Sequence, residues 1–166
     1  MPGKGGTVVV RPAAPGDTAA VLRLVRRLAA YEKLLDQVVA DEAAIGAALF
    51  GPSPKVFCDL AVVDGDVVGF ALWFYNYSTF LGRHGLYLED LFVEPEHRGS
   101  GIGKALLSGL ARRCVAEGLG RLEWSVLDWN RPAIDFYESQ GARILDDWRT
   151  CRVTGDGLAV LAGRAP

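Results

Sequence analysis

The residues with the clearest potential for chemistry lie between Tyr87 and Tyr137, and the first group is a glycine loop. The loop consists of Arg98, Gly99, Ser100, Gly101, Ile102, Gly103 and Lys104. It follows an apolar run that predicts a strand, and it precedes a helical pattern. The first N–H groups of a helix lack internal partners and carry the positive end of its dipole, and glycine lets phosphate oxygens approach them. The pattern fits a diphosphate site, and it also fits a simple turn.

Two other phosphate motifs can be excluded for this loop. A P-loop requires Ser or Thr after its Gly-Lys pair, but Gly103-Lys104 is followed by Ala105. A Rossmann motif opens an alternating parallel fold, whereas this loop comes late, after a predicted β-meander. Neither nucleotide motif therefore explains the glycines.

The elements around the loop are predicted from apolar periodicity. Strand-like runs cover residues 7–11, 57–63, 67–77, 86–93, 122–127, 149–153 and 158–161. Four helices are predicted, with Asp17, Asp41 and Asn130 as N-caps of three and Ile102 as the start of the fourth. Asp64-Gly65 predicts a tight hairpin. The order is β-α-α-β-β-β-α-β-α-β-β, which indicates one mixed α/β domain over 7–163, after a disordered N-terminal extension, 1–6.

Composition excludes several functional classes. The 166 residues are 50% hydrophobic and carry a net charge of −2, so no bulk positive charge attracts nucleic acid. No apolar run approaches the ~20 residues that span a bilayer, and the N-terminus lacks the apolar stretch of a signal peptide. Three dispersed Cys and two His predict no metal site. A cytoplasmic protein without membrane or nucleic-acid partners is expected.

Two motifs together resemble the GCN-five-related N-acetyltransferase (GNAT) family. The first is Arg98, Gly101 and Gly103 after the strand sequence Tyr-Leu-Glu-Asp-Leu-Phe-Val, and the second runs from Asp128 to Ala142. The finer match, including Tyr31-Glu32, is similar to the diamine (spermidine/spermine) and thialysine acetyltransferases. The resemblance implies a central, mixed, mostly antiparallel sheet flanked by helices. It also implies acetyl-CoA as co-substrate and a homodimer.

The resemblance assigns cofactor-binding roles to three segments. The glycine loop would bind the pyrophosphate through its N–H groups. The strand residues Leu91, Phe92 and Val93 would pair with the pantetheine amides, and a free N–H among them would stabilise the oxyanion if the strand splays from its neighbour. The start of the later motif completes the set with Asn130, Arg131, Pro132 and Ala133.

Glu89 and Tyr137 are the candidate catalytic residues that the resemblance implies. A primary amine has a pKa near ~10.4 and must lose a proton before it attacks, so Glu89 is the candidate base, directly or through a water. Tyr137 is the candidate acid for the thiolate, two helical turns after Asn130. The alternatives are a strand-end charge for Glu89 and a half-buried packing aromatic for Tyr137. Phe136 is assigned to the core.

A small cationic amine, such as a polyamine, thialysine or a lysine-like amine, is the expected substrate. Its candidate binding residues are Tyr31, Glu32, Glu89, Asp90 and Asp146. Where polyamine enzymes carry an acidic residue and a Trp, this chain has Ser78 and Phe80. The alternatives are an enzyme for a protein or peptide amine and a non-catalytic CoA-binding regulatory domain.

Overall fold

The computed structural model describes residues 6–164 and contains five strands and five α-helices. The strands are β1 (Val8–Pro12), β2 (Phe57–Val63), β3 (Asp66–Ser78), β4 (Arg83–Val93) and β5 (Leu122–Trp124). The helices are α1 (Thr18–Tyr31), α2 (Glu42–Phe50), α3 (Ile102–Glu117), α4 (Arg131–Ser139) and α5 (Asp156–Leu161).

The strands form one mixed sheet in the order β1-β2-β3-β4-β5. The first three pairings are antiparallel, and β4 pairs with β5 in parallel through the α3 crossover. The β2–β3 turn has positive φ at Asp64 (51°) and Gly65 (93°), the backbone that a two-residue hairpin of the right twist requires. The predicted fold class, a mixed and mostly antiparallel sheet flanked by helices, is confirmed.

The two faces of the sheet are covered by different helices. On one face the α1 residues Val21, Leu24 and Leu28 pack in a cluster with Leu60, Phe70 and Phe92 of the strands. On the other face α3 comes close at Gly69, where a Cβ would lie 3.0 Å from the Phe92 carbonyl oxygen and 3.5 Å from Leu106. Glycine at this position therefore allows α3 to approach the sheet.

The helix boundaries follow the predicted caps with one exception. Asp41 accepts a hydrogen bond from the N–H of Ala44 (2.8 Å), and Asn130 accepts one from Ala133 (3.3 Å). The α1 helix does start after Asp17, but the Asp17 carboxylate bonds to Arg11 (2.7 Å) instead of capping the helix.

Three strand predictions were wrong at the C-terminal side of the chain. The strand predicted for 122–127 ends at Trp124, because the ladder with β4 stops at Leu88, just before a bulge that bends β4. Residues 149–153 are irregular and exposed, and 158–161 lie in α5. Runs of four or five apolar residues do not distinguish strand from helix by periodicity.

The chain divides into two compact units, with the boundary between Ser125 and Val126. The first contains the sheet and α1–α3, and the second contains α4 and α5. One domain over 7–163 stays a prediction, and the predicted extension, 1–6, falls outside the described residues except for Gly6. Within residues 6–164, no helix combines the length and apolar character needed to cross a membrane.

Candidate active site

The glycine loop, residues 98–104, connects β4 to the start of α3. Gly99 and Gly101 have φ of +75° and +83°, which L-residues with a side chain rarely adopt. The first helical bond of α3 runs from the N–H of Ala105 to the carbonyl of Gly101 (2.9 Å), so the N–H groups of the preceding turn have no partner inside the helix. The space beside both glycines is open. The loop has the geometry of an anion site.

Arg98, the first residue of the loop, is held by the body of the first unit. Its Nε donates to the carbonyl of Val93 (2.9 Å), and its guanidinium carbon lies 4.9 Å from the centre of the Tyr31 ring and 5.4 Å from that of Phe92. These contacts hold the Arg98 side chain against β4 and the end of α1.

A β-bulge in β4 places Glu89 and Asp90. Trp73 of β3 pairs with Leu88, but the preceding residue, Leu72, pairs with Asp90, so Glu89 has no partner on β3. A bulge interrupts the alternation of side chains. Glu89 is consequently exposed, while Asp90 is half-buried on the face that Leu72 shares with the α1 cluster.

The pairing of β4 with β5 ends early. The two strands are in register only over Leu86 to Leu88, opposite Leu122 to Trp124, whereas β4 continues to Val93. Within the described residues, the β4 edge at Leu91, Phe92 and Val93 has no strand neighbour on that side. The end of β5 at Trp124 leaves a backbone edge of β4 beside the glycine loop, and the splay of two diverging strands stays a prediction.

Among the carboxyl groups of the first unit, Asp90 has the pKa that is raised most above its ordinary value. Burial is the largest cause of its raised pKa, and repulsion by the charges of Glu89 and then Glu32 adds to it, so that together they raise the pKa to about 7. Burial also raises the pKa of Glu32. We refer to Glu32, Glu89 and Asp90 as the acidic cluster. A carboxyl group with a strongly shifted pKa is typical of acid–base sites.

Glu32 reaches this cluster because of how α1 ends. Its N–H bonds to the carbonyl of Leu28 (2.9 Å), and the N–H of Leu34 returns to Ala29 (2.8 Å), which closes the helix. Lys33 adopts a left-handed conformation, with φ 62°, at the position where glycine is usual. The turn fixes Glu32 at the end of the helix.

The second unit contains the remaining predicted site residues. Asn130 caps α4 and is buried, and Tyr137, two turns later, is 8% exposed. Phe136 is only half-buried, so the prediction that it lies in the core was wrong. Arg131 pairs with Asp135 (2.8 Å). Asp146 lies exposed in an irregular segment.

The sequence did not point to an aromatic pair beside the acidic cluster. Phe74 and Tyr87 are paired across β3 and β4, with ring centres 5.1 Å apart, and the Tyr87 hydroxyl lies 2.9 Å from Ser125 Oγ. Phe74 follows Leu72 by two residues and so shares the face of Asp90. A bulge cannot be located from sequence, and without it the shared face is not predictable.

The arginines of α1 are exposed, and two of them also form ion pairs. Arg23 pairs with Glu94 and donates to the carbonyl of Val67 (2.7 Å), and Arg27 lies 3.2 Å from Glu94. These contacts attach α1 to the end of β4, next to the glycine loop. The spacing of four residues between Arg23 and Arg27, which places both on one face of α1, was the sequence signal for a shared partner.

Comparisons with known proteins show the family of the chain. The sequence model of the acetyltransferase (GNAT) family matches residues 21–142. The chain is 40% identical to the thialysine N-epsilon-acetyltransferase of Bos taurus, covering 95% of this chain and 98% of that protein. It is 34% identical to the L-ornithine N5-acetyltransferase NATA1 of Arabidopsis thaliana, covering 92% and 86%. Among solved structures, the V. cholerae integron cassette protein VCH_CASS6 has a TM-score of 0.78 at 27% identity, covering 93% and 97%.

The chain belongs to the GNAT acetyltransferase family. It is an acyl-transferring enzyme, and its reaction is acetyl transfer. The match covers both the glycine loop and α4, so the two motifs behind the predicted resemblance lie within it. GNAT enzymes use acetyl-CoA as co-substrate. Acetyl-CoA carries a pyrophosphate, and the geometry of the glycine loop suits such an anion.

Proposed function

We propose that this GNAT enzyme transfers the acetyl group of acetyl-CoA to the primary amine of a small cationic, lysine-like substrate. The observation that carries the proposal is the acidic cluster beside the open edge of β4. Three carboxyl groups, one of them half-buried in apolar surroundings, select a cation because they repel anions and give a neutral amine no charge partner.

The first unit has the features that acetyl-CoA requires. The left-handed glycines and the start of α3 suit a pyrophosphate, and the open edge at Leu91, Phe92 and Val93 suits an extended chain with amide groups. Bound acetyl-CoA supplies the activated acyl group. A backbone N–H of the same edge would stabilise the charge that develops on the carbonyl oxygen. Asn130, Arg131, Pro132 and Ala133 complete the binding set in the proposal.

The acidic cluster removes the proton of the incoming ammonium. Sequence favours Glu89 as the base, but the raised pKa of Asp90 favours Asp90, since a base works best with a pKa near the operating pH. We therefore assign proton removal to the pair, with Asp90 as its principal member and Glu89 beside it. Tyr137 donates the proton that the departing thiolate requires.

The substrate class follows from what lies next to the cluster. The Phe74–Tyr87 pair offers an apolar surface for the aliphatic part of an amine whose charged end lies at Asp90 and Glu32. Ser78 is buried and accepts from the N–H of Leu81 (3.2 Å), so it closes the hairpin and supplies no charge for a second ammonium. Relatives named for thialysine and L-ornithine support a lysine-like amine over a polyamine.

The test is thiol release from acetyl-CoA with a panel of amines. The panel contains thialysine, lysine, ornithine, spermidine and a hydrophobic monoamine of similar length. We expect the three amino acids to have the highest kcat/KM, and added salt to raise their KM because it screens the cluster. A best rate with the monoamine would contradict the proposal. Binding of acetyl-CoA without turnover of any amine would favour the regulatory-domain alternative.

The homodimer implied by the resemblance is part of the proposal. Sedimentation equilibrium at micromolar concentration tests it, and a monomer mass with full activity would contradict it.

A further inference from the structure

Arg98 connects two parts of the first unit that have separate tasks in the proposed function. It belongs to the glycine loop in sequence, but its guanidinium lies over the ring of Tyr31, the last residue of α1 (4.9 Å to the ring centre). The next residue, Glu32, is a member of the acidic cluster. One side chain therefore joins the loop for the anionic co-substrate to the helix end for the amine.

A second set of contacts, on the side of β4, orients the Arg98 side chain. Its Nε donates to the carbonyl of Val93 (2.9 Å), the last residue of β4, and its guanidinium carbon lies 5.4 Å from the centre of the Phe92 ring. The Nε bond and the two rings position the guanidinium plane, while Arg98 as a residue remains exposed beside the loop. An anion bound by the loop would attract the guanidinium and restrict its motion, so that its contact with the Tyr31 ring would be kept for more of the time.

We propose that Arg98 is a positioning residue that couples occupancy of the glycine loop to the geometry at the end of α1, so that the co-substrate orders Glu32 for the amine. The proposal rests on the proposed function for the identity of the two ligands. It adds a property that neither site has alone, namely positive coupling between them. An exposed cation–π contact of this kind corresponds to a change of about two- to fivefold in an equilibrium.

Hydrogen exchange tests the coupling without an amine and without turnover. The N–H groups of Glu32, Lys33 and Leu34 bond to α1 carbonyls, so their exchange reports the order of this helix end. We expect coenzyme A, used as a non-reacting probe, to slow their exchange about two- to fivefold in the wild type. Tyr31→Phe retains the ring and should retain the effect, whereas Tyr31→Leu should abolish it.

The matched control is Tyr77→Leu, which removes another exposed tyrosine ring that contacts His84 and not Arg98. It should leave the protection unchanged. The second measurement is the Kd of thialysine by calorimetry, which should fall about two- to fivefold when coenzyme A saturates the loop, and not in Tyr31→Leu. Arg98→Lys, which retains the charge but loses the planar group and the Nε bond, should also lose both effects.

The outcomes separate this proposal from the proposed function. If wild-type protein binds coenzyme A and the α1 end shows no added protection, the coupling through Arg98 is wrong and the acetyltransferase proposal stands. Protection that persists in Tyr31→Leu would also show that the coupling through Arg98 is wrong, and it would leave the acetyltransferase proposal intact. If the wild type binds no coenzyme A, both proposals are overturned. Melting temperatures of all variants exclude unfolding as the cause of a lost effect.

Discussion

The glycine loop and the acidic cluster lie in the same unit, yet the chain builds them in different ways. Seven consecutive residues form the loop, and its geometry depends on two left-handed glycines and one helix start. The cluster joins the end of α1 to a bulge in β4, more than fifty residues later. The loop is therefore a local structure, whereas the cluster exists only when α1 packs on the sheet. Substitutions should affect one and spare the other.

Asp90→Asn should produce the largest effect, because it removes the carboxylate with the raised pKa and retains its size. We expect kcat to fall roughly 10²–10⁴-fold, the range for a lost general base, with the Kd of acetyl-CoA unchanged. The pKa of about 7 predicts that wild-type kcat/KM rises with pH through that value, and the variant should lack this rise. Initial rates from pH 5 to 9 and calorimetry provide both readouts.

Glu89→Gln is the matched comparison for this prediction. A greater loss of kcat in Glu89→Gln than in Asp90→Asn would reverse the assignment of the base.

The pH dependence of stability gives an independent check on the raised pKa of Asp90. The folded-state pKa of Asp90 lies above the unfolded value of 3.8, so the folded protein binds more protons and its unfolding free energy falls as pH rises from about 4 to about 7. That loss, roughly a few kcal/mol, should be absent in Asp90→Asn.

Tyr137→Phe should have the next largest effect, and it tests a residue that belongs to neither the loop nor the cluster. The substitution removes the proton donor and keeps the ring, so kcat should fall roughly 10²–10³-fold while acetyl-CoA affinity stays the same. Tyr137→Ala serves as the comparison, since it removes a buried ring and should also lower the melting temperature. Full activity in Tyr137→Phe would remove Tyr137 from the mechanism.

Gly101→Val should weaken the loop alone. A side chain at φ +83° costs about 1–2 kcal/mol, so acetyl-CoA should bind roughly 5–30-fold more weakly if the loop must distort. Gly82→Val is the control, because Gly82 has φ +62° with open space around it at the β3–β4 hairpin. Both variants should lose some stability, but only Gly101→Val should lose affinity in calorimetry. Equal affinities would contradict the anion site.

Glu32→Gln should have the smallest effect, because the substitution changes one charge of the acidic cluster and leaves the glycine loop intact. The lost charge should raise the KM of a cationic amine about two- to fivefold and leave kcat nearly unchanged, because the interaction is partly screened by solvent. The dependence of KM on salt should also weaken. Asp36→Asn removes an exposed acid from the same part of the chain and should change neither quantity. A KM equal to that of the wild type would exclude Glu32 from the amine site.

Features that depend on neighbouring residues were predicted from the sequence, whereas features that depend on distant contacts were not. The hairpin at Asp64-Gly65, the caps Asp41 and Asn130, and the start of α3 all depend on neighbouring residues, and all were predicted. The segment 158–161 was misassigned because its apolar run fits both periods, and no pairing partner is visible in the sequence. Phe136 was wrongly assigned to the core because burial depends on what packs against α4, and hydrophobicity alone favours Phe.

The sequence by itself determined the family, the loop and the identity of the acidic residues, since motifs and backbone preferences are properties of adjacent positions. The tertiary structure decided which carboxyl group has the most strongly raised pKa. The bulge at Glu89 turns Asp90 toward the apolar face, and the end of α1 adds the charge of Glu32, so burial and repulsion together raise its pKa. It also gave Arg98 its partners, because a contact between residues 31 and 98 arises only when the helix lies on the sheet.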